Sequence, residues 1–176
     1  MTANPDRLLN GIEAQIAMSE WIDDASMAQE VIHAEWARTS LLERLRAVTD
    51  PIDVSVHGLH IIRGRIVDWA SDAIVLRDDR SARWLIPLDR LVRVSGLGSL
   101  AVRDEQIAEV RRSRRLTAIM RGWCDEGAPV TAYTVDGGIL DGVIVRVGAD
   151  HVDLVIGSGR HREIVPIAAF SAVRVT

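Results

Sequence analysis

The feature that most constrains the fold of this chain is an internal repeat, in which residues 51–94 and residues 129–173 follow the same pattern. A shift of 78 residues aligns Gly64 with Gly142, and after one inserted residue a shift of 79 aligns Pro87 with Pro166. The matched positions are mostly glycine, proline and branched apolar residues, which direct the path of the backbone. We therefore expect two copies of one structural unit.

Each copy is predicted to contain five short strands. In the second copy, Asp136, Gly137 and Gly138 separate two runs of alternating residues, which is typical of a hairpin. Pro166 ends a later strand because proline has no N–H to donate to a ladder. The first copy repeats this order, with predicted strands at Ile52–Val56, Ile61–Trp69, Ala73–Arg77, residues 83–86 and residues 91–94. Five strands in about 45 residues indicate a small, strongly bent antiparallel sheet.

A helix is predicted before each copy. The apolar residues at helical spacing are Leu41, Leu42, Leu45 and Val48 before the first copy, and Leu116, Ile119, Met120 and Trp123 before the second. A longer amphipathic helix is predicted over residues 6–33. Its apolar stripe needs a partner, which is either the sheets of the same chain or the same helix in a second copy.

This order of elements resembles the Sm-like fold of the Hfq and LSm proteins. The matching stretches are residues 64–76 and 142–154, with a glycine inside the second strand and an aspartate before the third. Residues 11–15, 42–46 and 146–151 also resemble an actinobacterial family of uncharacterised proteins with a helical N-terminus, a resemblance that implies no activity. The implied fold is α+β: an N-terminal helical segment, then two Sm-like five-stranded antiparallel β-barrels, each preceded by a helix.

The same reasoning divides the chain into four segments. Residues 1–35 form the N-terminal amphipathic helix, and residues 36–95 form the first Sm-like helix-plus-barrel unit. Residues 96–112 are a linker that can hold a short helix, because the sequence at 95–99 contains two glycines between serines. Residues 113–176 form the second Sm-like helix-plus-barrel unit.

The sequence also indicates where in the cell this protein is located. The single cysteine, Cys124, excludes an internal disulfide and fits a reducing cytoplasm. The sequence holds no run of about 18 apolar residues, the length a membrane helix needs. Residues 1–7 lack the basic flank and apolar core of a secretory signal. We therefore expect a cytoplasmic protein with no membrane contact.

An arginine run is the first candidate nucleic-acid site. The net charge of −4 argues against a protein that coats nucleic acid, since that affinity comes largely from neutralised phosphates. A local basic patch is still compatible with that charge. The run either contacts phosphates or forms a solvated helix face balanced by acidic residues at 104, 105 and 109. Its members are Arg111, Arg112, Arg114 and Arg115.

His151 is the second candidate for contact with nucleic acid. In Sm-like RNA binders, the loop between the second and third strands contacts bases through an asparagine near the aspartate. The resemblance places Ala73 at that position in the first copy and His151 in the second. Alanine cannot bind a base there, whereas histidine can stack on one.

The remaining polar residues do not form a pattern that indicates catalysis or metal binding. His57 aligns with Val135, and His151 aligns with Ala73, so the two copies share no histidine site. No cluster of cysteines and histidines has the spacing of a metal site. No nucleophile–base pair or phosphate-binding loop is visible. We expect a protein that is not an enzyme and has no cofactor.

Two functions are compatible with these observations. The first is a non-enzymatic protein-interaction or assembly module, because bent sheets expose unpaired edge strands. Such a module binds a protein partner, or a second copy of itself, through the sheet edges or the N-terminal helix. The alternative is a nucleic-acid-binding regulator of RNA or DNA that uses the arginine run at residues 111–115 and the second-barrel loop with His151.

Overall fold

The computed structural model describes residues 40–98, 114–157 and 161–176. Within the chain, Leu41–Thr176 forms one compact unit. The predicted N-terminal helix, Arg111, Arg112 and most of the predicted linker lie outside the described residues. The segment boundaries at these places therefore stay predictions.

The first half of the compact unit begins with a short helix. Helix α1 spans Leu41–Arg46, and only Leu45 on it is fully buried. Five strands follow, and the last two are separated by a 3₁₀ turn at Leu88–Arg90. The strands are β1 (Ile52–Val56), β2 (Ile61–Trp69), β3 (Ala73–Arg77), β4 (Arg83–Pro87) and β5 (Leu91–Ser95).

The second half repeats this order with a longer helix. Helix α2 spans Leu116–Asp125, and its buried residues recur at helical spacing on one side. A 3₁₀ turn at Ile167–Ala169 again precedes the last strand. The strands are β6 (Pro129–Thr134), β7 (Ile139–Val147), β8 (His151–Ile156), β9 (His161–Pro166) and β10 (Phe170–Val175). The predicted strand positions are confirmed in both halves.

The prediction of two Sm-like β-barrels is wrong. The strands form one open ten-stranded sheet in the order β5-β1-β2-β3-β4-β10-β6-β7-β8-β9. The physical reason is that β4, the last strand in the first half of this order, pairs antiparallel with β10 of the second half. Because β4 and β10 satisfy each other's backbone groups, the two halves merge into one sheet instead of closing as a tandem pair of small barrels.

What the two halves share is the register of their ladders. In the first half, Ile52 lies opposite Gly64 and Leu76 opposite Trp84. In the second half, the residues at the corresponding pairs are Val130 with Gly142 and Leu154 with Glu163. The bulge between Ile66 and Asp68 recurs between Ile144 and Arg146. The shifts of 78 and 79 residues therefore identify structurally equivalent positions.

Two apolar cores lie against this sheet. One core holds the inner residues of the first half, including Leu45, Ile74 and Leu76. The other holds the second-half interior and also Val75 and Leu85, which lie on strands of the first half. Strands β3 and β4 are therefore buried on both faces, which explains their nearly continuous apolar sequences. Among the described residues, no helix has the length and apolar content needed to cross a membrane.

Candidate interaction surface on the outer strands

The two described members of the arginine run bind carboxylates of the first half. Arg114 Nη1 donates to both carboxylate oxygens of Asp68, at 3.1 and 2.8 Å. Arg115 Nε donates to Asp72 Oδ2 at 3.0 Å, and the other oxygen of Asp72 accepts the backbone N–H of Leu116 at 2.7 Å. These arginines hold the start of α2 on the β2–β3 turn. Their contact with phosphates stays a prediction.

His151 lies at the start of β8 and is paired with its neighbour. Its Nδ1 is 2.8 Å from Asp150 Oδ1. The hydrogen bond from His151 is the main cause that holds the pKa of the exposed Asp150 carboxyl below its usual value. A negative charge beside the imidazole opposes a phosphate at the same place. The cavity beside Arg115 is lined by Asp150, but not by His151 or Arg114.

A cavity of about 510 Å³ lies beside the arginines, between the turns of both halves. Three carboxylates line it, those of Asp72, Asp89 and Asp150. Its two guanidinium groups already have partners: Arg115 pairs with Asp72, and Arg90 donates to the carbonyl oxygens of the second half. The charge balance of this cavity therefore does not favour a polyanion.

The described part of the chain contains no group of three or more histidine, cysteine or acidic residues placed to hold a metal ion. Cys124 is a half-buried free thiol at the end of α2. These residues give no basis for assigning a catalytic or metal centre.

The junction between β4 and β10 shows how the edges of the two halves pack together. Leu85 on β4 lies opposite Val173 on β10, and both side chains are buried, at 1% and 2% exposure. The buried residues Ile119 and Trp123 of α2 belong to the same apolar core as Leu85. The sheet thus shows how an edge strand of one half is covered by a strand and a helix of the next.

Polar contacts reinforce this junction. Arg90 Nε donates to the carbonyl oxygen of Phe170 at 3.2 Å, and its Nη2 donates to that of Ala168. Arg83 Nη2 forms an ion pair with Glu126 Oε2 at 3.1 Å, and its guanidinium lies 5.6 Å from the ring centroid of Trp123. Together with the pairs made by Arg114 and Arg115, these contacts clamp the two halves to each other.

The outer strands β9 and β5 carry the exposed counterparts of the buried junction residues. Ile164 on β9 is equivalent to Leu85 and is 68% exposed. Val92 on β5 is 66% exposed, whereas Ser171, its equivalent on β10, is fully buried. Leu41 on α1 is 44% exposed, and its equivalent Ile119 is 4% exposed. At these three positions, a residue that is buried in the second half or at the internal junction has an exposed apolar equivalent at the outer edge.

The outer face beside Ile164 is more polar than its internal equivalent. Asp153, which lies opposite Ile164, stands where the first half has Val75 and is 5% exposed. Arg146 and Arg162 lie 4.0 and 3.8 Å from the Asp153 carboxylate. A charged group at this place weakens any apolar cover on the outer face. The outer face beside Ile164 is therefore expected to bind an apolar partner more weakly than the equivalent face at the internal junction does.

Sequence reasoning did not single out Ile164, Val92 and Leu41 as surface residues, because it treated each half as a separate barrel. The repeat carried the signal, since it aligns Ile164 with Leu85. Only the strand order shows that one of these two positions is at an internal junction and the other at an edge. No protein-family model matches this chain, and no curated protein matches it.

Proposed function

We propose that this protein is a non-enzymatic assembly module whose copies join head to tail through the edges of the sheet. In the proposed contact, β5 of one copy pairs antiparallel with β9 of the next. The observation that carries the proposal is the internal junction between β4 and β10. Strand β4 is the equivalent of β9, and β10 is the equivalent of β5, so the same pairing already exists inside one chain. Edge strands present unpaired N–H and C=O groups that favour this kind of addition.

The internal register predicts the register between copies. At the internal junction, Leu85 lies opposite Val173 and Trp84 lies opposite Arg174. The equivalent pairs between two copies are Ile164 with Val94 and Glu163 with Ser95. The exposed apolar side chains of Ile164 on one copy and Val92 and Leu41 on the other then lie at the contact. Because the two surfaces differ, the contact is heterologous, and copies add as a ring or as an open chain.

The contact between copies is expected to be weaker than the internal junction. Ala169 stands at the position equivalent to Arg90, so the donor to the neighbouring carbonyl oxygens is absent. The charged group around Asp153 replaces the apolar surface of Val75. We expect a Kd of roughly 1–100 μM, or about 5.5–8 kcal/mol. A cytoplasmic location, expected from the single cysteine, belongs to the same proposal.

Light scattering of the full chain over a range of concentrations tests the proposal. We expect the mass to rise with concentration towards about 100 μM, and Ile164→Asp to reduce it to that of a monomer because a carboxylate is placed at the contact. Ile139→Asp is the matched control, since Ile139 is 61% exposed on β7, away from both outer strands. A monomer at every concentration, or equal effects of the two variants, contradicts the proposal.

Disulfide trapping tests the register itself. In a Cys124→Ser background, Ser95→Cys and Glu163→Cys are combined, because directly opposed residues of antiparallel strands lie within disulfide distance. Oxidation is expected to link copies efficiently. The control combines Arg93→Cys with Glu163→Cys, which are two residues out of register. Equal linking of the two pairs indicates random collision and contradicts the proposed pairing.

A further inference from the structure

A second cavity, of about 360 Å³, lies over the junction on a surface that the proposed assembly does not use. It is lined from both halves: by the β1–β2 and β3–β4 turns of the first half, and by β6 and β10 of the second. Its volume falls at the lower end of the range for small-molecule sites. The size and the convergence of several strands identify it as a candidate ligand site.

Aromatic rings form the floor of this cavity. The rings of Trp84 and Tyr133 stack with their centroids 5.5 Å apart and an interplanar angle of 22°. His60 meets Trp84 edge-on, with centroids 6.3 Å apart. Trp84 is buried, Tyr133 is partly exposed and His60 is exposed, so the last two rings can contact a ligand. A planar group placed there would meet a rigid aromatic surface.

The charged residues of the cavity divide into engaged and available groups. The Asp78 carboxylate accepts hydrogen bonds from Trp84 Nε1 and from the backbone N–H groups of Arg80 and Ala82, each at 2.9 Å. Desolvation raises the pKa of Asp78, but these bonds and the charge of Arg174 outweigh it and hold the pKa below its usual value. Asp78 is therefore an ionised group that fixes the turn and the indole.

Arg174 and Arg80 are the groups available to a ligand. Arg174 lies with its guanidinium 5.5 Å from the ring centroid of Trp84, and its Nε is buried without a hydrogen-bond partner in the described part of the chain. Arg63 and Arg80 stand exposed at the rim, and Arg63 is 3.9 Å from Asp53. Three guanidinium groups thus surround one opening, whose remaining carboxylate is that of exposed Asp79.

The sheet can form without these aromatic and basic side chains. The equivalent positions in the other half have the same ladder register but different residues. Each aromatic or basic residue is replaced there by a small or acidic one. The replacements are Trp84 by Glu163, Tyr133 by Ser55, Arg174 by Ser95, His60 by Gly138 and Arg63 by Asp141. The cavity's chemistry therefore belongs to this one junction and is not a property of the repeated unit.

We propose that this cavity binds a nucleoside monophosphate. Guanidinium groups bind phosphate oxygens through paired, charge-assisted hydrogen bonds, which assigns the phosphate to Arg174 and Arg80. The base lies against the exposed surface of Tyr133 and His60, since base–aromatic stacking does not depend on base identity. The volume accommodates one small ligand and not an extended strand of nucleic acid.

Titration of the full ¹⁵N-labelled chain with adenosine monophosphate tests the proposal. The indole N–H signal of Trp84, assigned with Trp84→Phe, is expected to shift with a Kd at or below about 1 mM. Arg174→Gln and Arg80→Gln are each expected to weaken binding roughly tenfold, because each removes charge-assisted hydrogen bonds. Arg80 lies on an exposed turn, so its variant is expected to fold even if Arg174→Gln does not.

Arg121→Gln, on the exposed side of α2, is the matched control and is expected to leave binding unchanged. Inorganic phosphate and adenosine, titrated separately, are expected to bind more weakly than the nucleotide. The proposal is overturned if no cavity signal shifts at about 10 mM nucleotide. Equal binding of inorganic phosphate also overturns it, because the rings then contribute nothing, and so does an equal loss in Arg121→Gln.

Discussion

Gly64 and Gly142 occupy equivalent places in the long second strand of each half, and both are required by a close backbone approach. A Cβ added at Gly64 would lie 2.4 Å from the carbonyl oxygen of Arg77. At Gly142 the corresponding distance to the carbonyl oxygen of Val155 is 2.3 Å. Each glycine therefore allows the neighbouring third strand to pack against the bent second strand.

Gly64→Ala is predicted to destabilise the protein by about 1–3 kcal/mol, because the backbone of β3 must move to admit the methyl group. Gly122→Ala is the control: a Cβ at this helical glycine meets nothing within 4 Å. It is expected to stabilise the fold by about 0.5–1 kcal/mol through helix propensity. Denaturant unfolding measures both changes. A neutral Gly64→Ala would show that the close approach relaxes freely.

At the scale of elements, the start of α2 is positioned by a turn that belongs to the other half. Arg115, the residue before the helix, makes no capping bond to it through its own side chain. Asp72, on the β2–β3 turn, accepts the backbone N–H of Leu116 instead. The N–H of Ser71 also donates to the carbonyl oxygen of Arg114 at 2.8 Å. The cap is thus part of the junction between the halves.

Asp72→Ala is predicted to destabilise the protein by about 0.5–2 kcal/mol, the usual effect of removing a helix cap. Asp150→Ala is the control at the equivalent position. The Asp150 side chain is 89% exposed and pairs with His151, so we expect a change within about 0.5 kcal/mol. Thermal unfolding followed by circular dichroism compares the two variants. Equal losses of stability in the two variants would contradict a capping role for Asp72.

At the scale of the whole molecule, the two halves share a core across one sheet. Val75 and Leu85 of the first half lie in the same apolar cluster as Trp123 and Phe170 of the second. Because this cluster joins the halves, opening one half exposes apolar surface of the other. The compact unit is therefore expected to unfold in one cooperative transition.

Leu85→Ala is predicted to destabilise the fold by about 2–5 kcal/mol because it leaves a cavity at the junction. Circular dichroism and tryptophan fluorescence are expected to report the same unfolding midpoint. Ile164→Ala at the equivalent outer position is the control, with little effect expected because Ile164 is 68% exposed. Two separate transitions in the Leu85→Ala variant would argue against a shared core.

Much of the strand pattern was predictable from the repeat. The bounds of β1, β2 and β3 agree with the predicted strands, and β4 and β5 each extend one residue further, to Pro87 and Ser95. Local pattern succeeds here because strand pleating and turn formation depend on residues close in sequence. The helices preceding each half were predictable for the same reason.

The candidate surface was less predictable. The arginine run was compatible with phosphate contact or with a solvated helix face balanced by nearby acidic residues, yet Arg114 and Arg115 are held by Asp68 and Asp72, which lie more than 40 residues earlier in the chain. The rings of Trp84 and Tyr133, from opposite halves, meet only when β4 pairs with β10. Such contacts depend on distances across the sheet, which one-dimensional spacing does not contain.

The sequence by itself determined approximately where the described strands and helices lie, and that two equivalent sets of five strands occur. Tertiary structure alone decided that these sets join through β4 and β10 as one open sheet, with β5 and β9 outermost. The physical reason is that every strand offers the same backbone donors and acceptors. Which edges meet is therefore settled by the long-range packing of Leu85 with α2 and the second half, which the local pattern of each strand does not contain.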